Sequence, residues 1–154
     1  MKASRFQDTT PFQERLELCN SQLQKHPDRI VIIVEPYLTT DPPINHKRFL
    51  VNRDRLASKS IGVIKERIDT KPTMVLRFYV VTNTKPYAIV DLLSSWYTSL
   101  TGYIVDPALI YLPIGYHVGT IYDNYKHDDG FLYIVYTVEN ILPEQPPEVP
   151  VESK

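Results

Sequence analysis

The side chains best suited to chemistry are few in this chain of 154 residues, and they do not converge. His26, His46, His117 and His127 are scattered, with no HExxH pair and no cysteine at ligand spacing. Neither a zinc site nor a Cys–His nucleophile is indicated. Cys19, the single cysteine, falls on an apolar helical stripe, which is the place of a buried structural thiol. Asp128 and Asp129 would suit paired acid–base work, but short acids followed by Gly130 are the composition of a turn. The chain therefore reads as a non-enzyme, with no catalytic residue, no metal ligands and no cofactor.

Charge carries more pattern than catalysis does. Nine Lys and Arg (Lys47, Arg48, Arg53, Arg55, Lys59, Lys65, Arg67, Lys71, Arg77) stand against Asp54, Glu66 and Asp69, so residues 47–77 carry +6 within a chain of net charge −1. A basic stripe of this kind fits nucleic acid, an acidic membrane surface or an acidic peptide, and equally a solvated face. No RNP motif, zinc-finger spacing or glycine-rich phosphate loop occurs, which argues against nucleic acid. With 43% apolar and 23% charged residues, the composition is that of one soluble globular domain. No run of 18 apolar residues is long enough to span a bilayer. The start MKASRFQDTT lacks the apolar core of a signal peptide, and one cysteine suits a reducing compartment, so the cytosol is expected.

Periodicity supplies the elements that must carry this charge. Thr10-Pro11-Phe12-Gln13 predicts a helix start, with Thr10 as cap and Gln13 at the capping-box position. Phe12, Leu16, Cys19 and Leu23 then trace a helical stripe to about Lys25. Asp28 to Tyr37 and Lys47 to Asn52 predict two strands of a hairpin across the turn-rich LTTDPPINH. Leu56 to Ile68 follows as a helix with Ala57, Ile61, Ile64 and Ile68 at helical spacing; Met74 to Thr82 predicts a third strand. Within residues 84–111, Ile89, Leu92, Leu93, Trp96, Tyr97 and Leu100 mark an amphipathic helix whose polar face has no Lys or Arg, against an anionic lipid surface. Val118 to Lys126 predicts a further helix. Phe131 to Val138 is a continuous apolar run, the pattern of a strand buried on both faces at a sheet centre. From Pro143 the last twelve residues hold four prolines and three glutamates and read as a disordered tail.

The order helix, strand, strand, helix, strand, helix, strand is that of the β-grasp, an α+β ubiquitin-like fold with a four-stranded mixed sheet, here with an N-terminal helical extension and an inserted helix. Five short motifs make the resemblance specific. Pro11-Phe12-x-x-Arg15, His26-Pro27-Asp28-Arg29, Lys47-Arg48-Phe49-Leu50-Val51, Ile64-Lys65-Glu66-Arg67-Ile68 and Asp129-Gly130-Phe131-Leu132-Tyr133 with Tyr136 follow in order. Together they resemble the autophagy ubiquitin-like modifiers, the family of GABARAP and the microtubule-associated light chains. The resemblance covers most of residues 10–142 within a single domain 1–142, interrupted by 84–111, which the family lacks.

That resemblance implies an adaptor of autophagy and membrane trafficking, cytoplasmic and autophagosome-associated, touching membrane only indirectly. A partner strand with an acid-flanked aromatic-x-x-aliphatic motif would add to the second strand at Lys47, Arg48, Phe49 and Leu50. Val31, Ile33, Arg48, Leu50 and Phe131 would receive the aromatic residue. Phe49, Val51, Val63 and the helix from Leu56 would receive the aliphatic one. Arg29 and Arg67, with Lys47 and Arg48, would attract the acidic flank. Asn52, Arg55, Ser60 and Gln22 depart from the family's pattern along this groove. The family's last strand leads to a glycine that is activated as a thioester and transferred to a lipid amine. Counted from Phe131-Leu132-Tyr133, that position is Pro143, and residues 131–154 hold no glycine. Proline fixes its own φ, lacks an N–H and restricts Leu142, so an unconjugated binder is expected. The alternatives are a modifier conjugated to phosphatidylethanolamine or protein through an unusual C-terminus, and a structural protein whose basic face binds tubulin or an acidic surface.

Overall fold

The computed structural model describes residues 2–83, 104–106, 108–138 and 141–142. Its elements are α1 (Phe6–Thr9), α2 (Phe12–Lys25), β1 (Arg29–Pro36), β2 (Arg48–Asn52), α3 (Ala57–Glu66), β3 (Arg77–Val81), β4 (Ile104–Val105), β5 (Leu109–Tyr111), a helix here numbered α4 (Val118–Tyr125), β6 (Leu132–Thr137) and β7 (Ile141–Leu142). The main sheet runs β2-β1-β6-β3-β5, and β4 pairs with β7 in a separate ladder. β6 lies parallel to β1 and antiparallel to β3, so the last long strand occupies the sheet centre and all six of its residues are buried. Its unbroken apolar run follows from that position: with strands on both sides and packing on both faces, no side chain of β6 meets water.

Alternation along the strands divides the core in two. Ile30, Ile32 and Val34 of β1 with Leu132, Ile134 and Tyr136 of β6 face α3 and α4. Val31 and Ile33 with Phe131, Tyr133 and Val135 face α2, around the buried Cys19. The α3 stripe behaves as its spacing requires, with Ala57, Ile61, Ile64 and Ile68 all buried against the first of these clusters. Each fully buried aliphatic side chain contributes about 1.5–3 kcal/mol, so these two layers dominate the stability of the domain.

The α+β ubiquitin-like arrangement holds, with corrections. The sheet has five strands rather than four, because Leu109–Tyr111 pairs antiparallel with β3. A four-residue helix, α1, precedes α2. Thr10 does not cap α2 with its side chain: Pro11 is the N-cap, and Gln13 bonds Glu17 instead of closing a box. A proline at this position presets an extended entry to the helix without any side-chain acceptor. The expected helix over Ile89–Leu100 and the tail from Pro143 lie outside the described residues.

The entry to β6 is set by a turn that the acidic pair builds. Asp129 is buried; its carboxylate accepts from Phe131 N–H at 3.0 Å and from the Tyr133 hydroxyl, and it pairs with Arg15 Nε at 2.8 Å. Gly130 follows at φ +91°, where an added Cβ would stand 2.8 Å from Cys19 Sγ. Burial, and then the hydrogen bond to Asp129, push the Tyr133 hydroxyl well above its ordinary pKa. Each of these groups is engaged in holding the turn into β6.

Candidate binding groove at the edge of the sheet

β2 is one outer strand of the main sheet, which makes its far side a place where another strand can add. The register pairs Ile33 with Arg48, Ile32 with Phe49 and Val31 with Leu50. Val34 N–H donates to the Lys47 carbonyl at 2.7 Å, so in an antiparallel ladder Lys47, Phe49 and Val51 spend their backbone groups on β1. The N–H and C=O of Arg48 and Leu50 consequently turn outward. An extended peptide laid along β2 meets these two residues as donors and acceptors.

Side chains on either side of that edge come from the two core layers. Leu50 packs with Val31, Ile33 and Phe131 on the α2 side, whereas Phe49 and Val51 pack with Ile30 and Ile32 on the α3 side. The expected aromatic and aliphatic subsites are therefore separated by the plane of the sheet, one above the edge and one below. Val63 is exposed on α3. Val31, Ile33 and Phe131 are buried at 1%, 2% and 0% exposure, so they form the floor of the first subsite rather than its rim.

The open cavity beside this floor, about 430 Å³, is lined by Phe6, Ile33, Asn45, His46, Lys47 and Arg48. Ile33, Lys47 and Arg48 were expected here; Phe6, Asn45 and His46 were not. Phe6 arrives on α1, with its ring edge-on to Phe131 at 5.6 Å between centroids. Its N–H donates to Glu35 Oε2 at 2.8 Å, and the same oxygen takes Lys47 Nζ at 3.4 Å. Glu35 interrupts the apolar run of β1 and is buried at 1% exposure, yet both partners satisfy it. One internal carboxylate thus joins the N-terminal segment to the basic start of β2. A polar residue inside an otherwise apolar strand was the one signal in the sequence that pointed to this link.

The basic groups divide between the two ends of the edge. The chain entering β2 is tied to the end of α3, since Asn45 N–H donates to the Arg67 carbonyl at 3.0 Å and Ile44 bridges to Ile68. Arg29 pairs with Asn52 at the other end of β2, four positions along, or roughly 13 Å. Lys47 and Arg48 thus line one cavity, the Arg67 backbone is tied to the chain two residues before Lys47, and Arg29 stands at the far end of β2. Tyr111-Leu112-Pro113-Ile114, which fits the loose partner motif, starts on β5 at the opposite edge of the sheet and does not reach this groove within one chain.

Among the described residues, no three His, Cys, Asp or Glu side chains gather as a metal site would need, and no helix is long and apolar enough to cross a membrane. The β2 edge thus combines an outward-facing backbone, half-buried apolar side chains on both faces of the sheet and basic residues at its start.

No protein-family model matches the chain. Curated relatives do. Autophagy-related protein 8i of Arabidopsis thaliana is 31% identical over 135 residues, spanning 87% of this chain and 94% of the relative. Autophagy-related protein 8 of Coccidioides immitis is 31% identical over 138 residues, with 89% and 95% covered. Among solved structures, ATG8 of Trypanosoma brucei matches with a TM-score of 0.61 at 25% identity, covering 88% of this chain and 95% of that one. Atg8 of Plasmodium falciparum, solved in complex with an Atg3 peptide from the same organism, shares the fold with a TM-score of 0.64 at 20% identity, over 90% and 98% of the two chains. Sequence motifs, sheet order and relatives matched over most of both chains agree: the chain belongs to the autophagy-related protein 8 family of ubiquitin-like proteins.

Proposed function

We propose that this chain is a non-enzymatic adaptor of autophagy that binds acid-flanked aromatic-x-x-aliphatic segments of partner proteins by strand addition to β2. The observation that carries the reading is the outward backbone of Arg48 and Leu50, flanked by apolar residues from both core layers. Strand addition draws affinity from the main-chain bonds and specificity from alternate side-chain pockets. Alternation sends the partner's side chains to opposite faces of the extended sheet, which matches the division between Val31, Ile33, Leu50 and Phe131 on one face and Phe49, Val51 and Val63 near the other. Lys47, Arg48 and Arg67 would take acids at one end of the peptide, and Arg29 acids at the other. The Plasmodium relative, solved with an Atg3 peptide, is consistent with partners drawn from the autophagy machinery.

The same reading holds that the chain is not conjugated through the family's glycine position, which is Pro143 here. A prolyl residue, with its ring, fixed φ and missing N–H, fits poorly where a slim acyl donor must thread a narrow active site. Calorimetry with an acid-flanked aromatic-x-x-aliphatic peptide tests the groove; binding is expected at roughly micromolar Kd. Leu50→Asp should abolish it, with folding checked by circular dichroism because Leu50 is half-buried. Absence of heat from several such peptides on folded protein would overturn the reading.

A further inference from the structure

The chain leaves β6 through a second, smaller ladder. Ile141–Leu142 pairs in parallel with Ile104–Val105, matching Ile104 to Ile141 and Val105 to Leu142. β7 ends one residue before Pro143. β4 comes from residues 84–111, the stretch expected to be additional to the family. A segment that must be a free, extended leader in a conjugated ubiquitin-like protein is here paired with a strand from elsewhere in the same chain.

Two buried aspartates hold the chain beside the two halves of this ladder. Asp106, one residue past β4, accepts from the Tyr37 hydroxyl at 2.8 Å, from Ala108 N–H at 3.0 Å and from Lys2 Nζ at 3.2 Å. Tyr37 is itself buried at the end of β1, so the end of β4 is tied to the core of the main sheet. Burial works to raise the Asp106 carboxyl, but Tyr37, Lys2 and Ala108 outweigh it and hold its pKa below the ordinary range. On the other side, Asp41 accepts from Thr137 Oγ at 2.9 Å and from Val138 N–H at 3.0 Å, fixing the direction in which the chain leaves β6. Its other oxygen takes Leu38 N–H at 2.8 Å. Both staples reach the segment around Tyr37 and Leu38, one directly after β4 and the other three residues before β7.

We propose that β4 is a built-in clamp that captures the C-terminal exit of the ubiquitin-like domain, with residues 141–142 as its occupant. The inference deepens the unconjugated reading above but rests on strand pairing and side-chain staples rather than on Pro143. A backbone held in a ladder cannot thread into an active site until the ladder opens, so the clamp withholds this segment from any enzyme that reads an extended tail.

Amide hydrogen exchange on the full chain, read by NMR at single residues, tests the clamp. In the unaltered protein, amide protection within residues 141–142 is expected to exceed that of a free peptide by at least about tenfold. Pro143 has no N–H to give Val105, so in this parallel register Ile104 is the β4 residue whose backbone faces β7; Ile104→Pro removes its N–H and should return residues 141–142 to free-peptide rates, while the amides of 132–137 keep their protection. Tyr37→Phe removes only one staple and should lower protection of 141–142 in part, again with β6 unchanged. Free-peptide exchange at 141–142 in the unaltered protein would overturn the clamp, as would full protection persisting in a folded Ile104→Pro variant. Changing Pro143→Gly separates the two ideas: if the clamp holds, 141–142 stay protected in that variant whether or not conjugation enzymes act on it.

Discussion

A single methyl group added at Gly130 loads two separable costs onto the turn that leads into the central strand. The first is backbone: φ is +91°, a region L-residues enter at a cost of about 1–2 kcal/mol. The second is contact: the new Cβ would lie 2.8 Å from Cys19 Sγ, well inside the ~3.5–4.0 Å of a comfortable apolar contact. Forcing extra volume into a packed core costs about 1–3 kcal/mol, so Gly130→Ala should lose about 2–5 kcal/mol in all. Cys19→Ala removes the sulfur and leaves the Cys19 Cβ at an ordinary 3.5 Å. In that background only the dihedral cost should remain. A double-mutant cycle by urea unfolding, with unchanged m-values, should therefore show a coupling of about 1–3 kcal/mol in favour of the double variant. Additivity within about 0.5 kcal/mol would refute the reasoning, because it would mean that Cys19 does not confine this turn. Phe131, the floor of the proposed aromatic subsite, is the next residue, so a shift here should also weaken peptide binding.

Other outcomes follow from the same packing. Arg15→Met leaves the Asp129 carboxylate buried without its cation and should cost about 3–5 kcal/mol in urea unfolding; a loss below about 1 kcal/mol would show that Tyr133 and Phe131 N–H suffice. Burial, and then Asp129, push the Cys19 thiol up from 9.0 to about 11. The folded chain thus holds this proton more tightly than the unfolded one; the contribution is fully present below pH 9 and is lost by about pH 11. Unfolding free energy should fall by about 2–3 kcal/mol over that window from this group, and the difference between Cys19→Ala and the unaltered protein should lack this slope if Cys19 is not its source. Leu109 is fully buried on β5, so Leu109→Ala should cost about 2–5 kcal/mol; a change under 0.5 kcal/mol would make the fifth strand dispensable.

The parts of the fold legible in the sequence were those with enough residues to set a period. The α3 stripe at Ala57, Ile61, Ile64 and Ile68 and the unbroken run of β6 each bury a continuous surface, so local pattern and tertiary environment say the same thing. What escaped was short. α1, β5 and β7 have four, three and two residues, and are held by contacts from distant parts of the chain. Phe6 carries no helical periodicity; it reaches the groove because Glu35 holds its N–H and Phe131 receives its ring. β5 lies in the same 84–111 stretch as the apolar stripe that predicts the inserted helix, and three residues are too few to show a strand's own alternation. The edge of β2 was legible through Lys47-Arg48-Phe49-Leu50-Val51, but which backbone groups face outward depends on the register with β1, and sequence alone does not fix a register across an eleven-residue connection.

The central claim, that partners add a strand to β2, is tested most directly by residue-level amide exchange with and without an acid-flanked aromatic-x-x-aliphatic peptide. Lys47, Phe49 and Val51 already spend their backbone groups on β1, whereas Arg48 and Leu50 face outward. Strand addition should therefore slow exchange at Arg48 and Leu50 by about tenfold or more and leave Phe49 and Val51 nearly unchanged. Binding that leaves the Arg48 and Leu50 amides exchanging as in the free protein would contradict the account and move the recognition surface elsewhere on the domain.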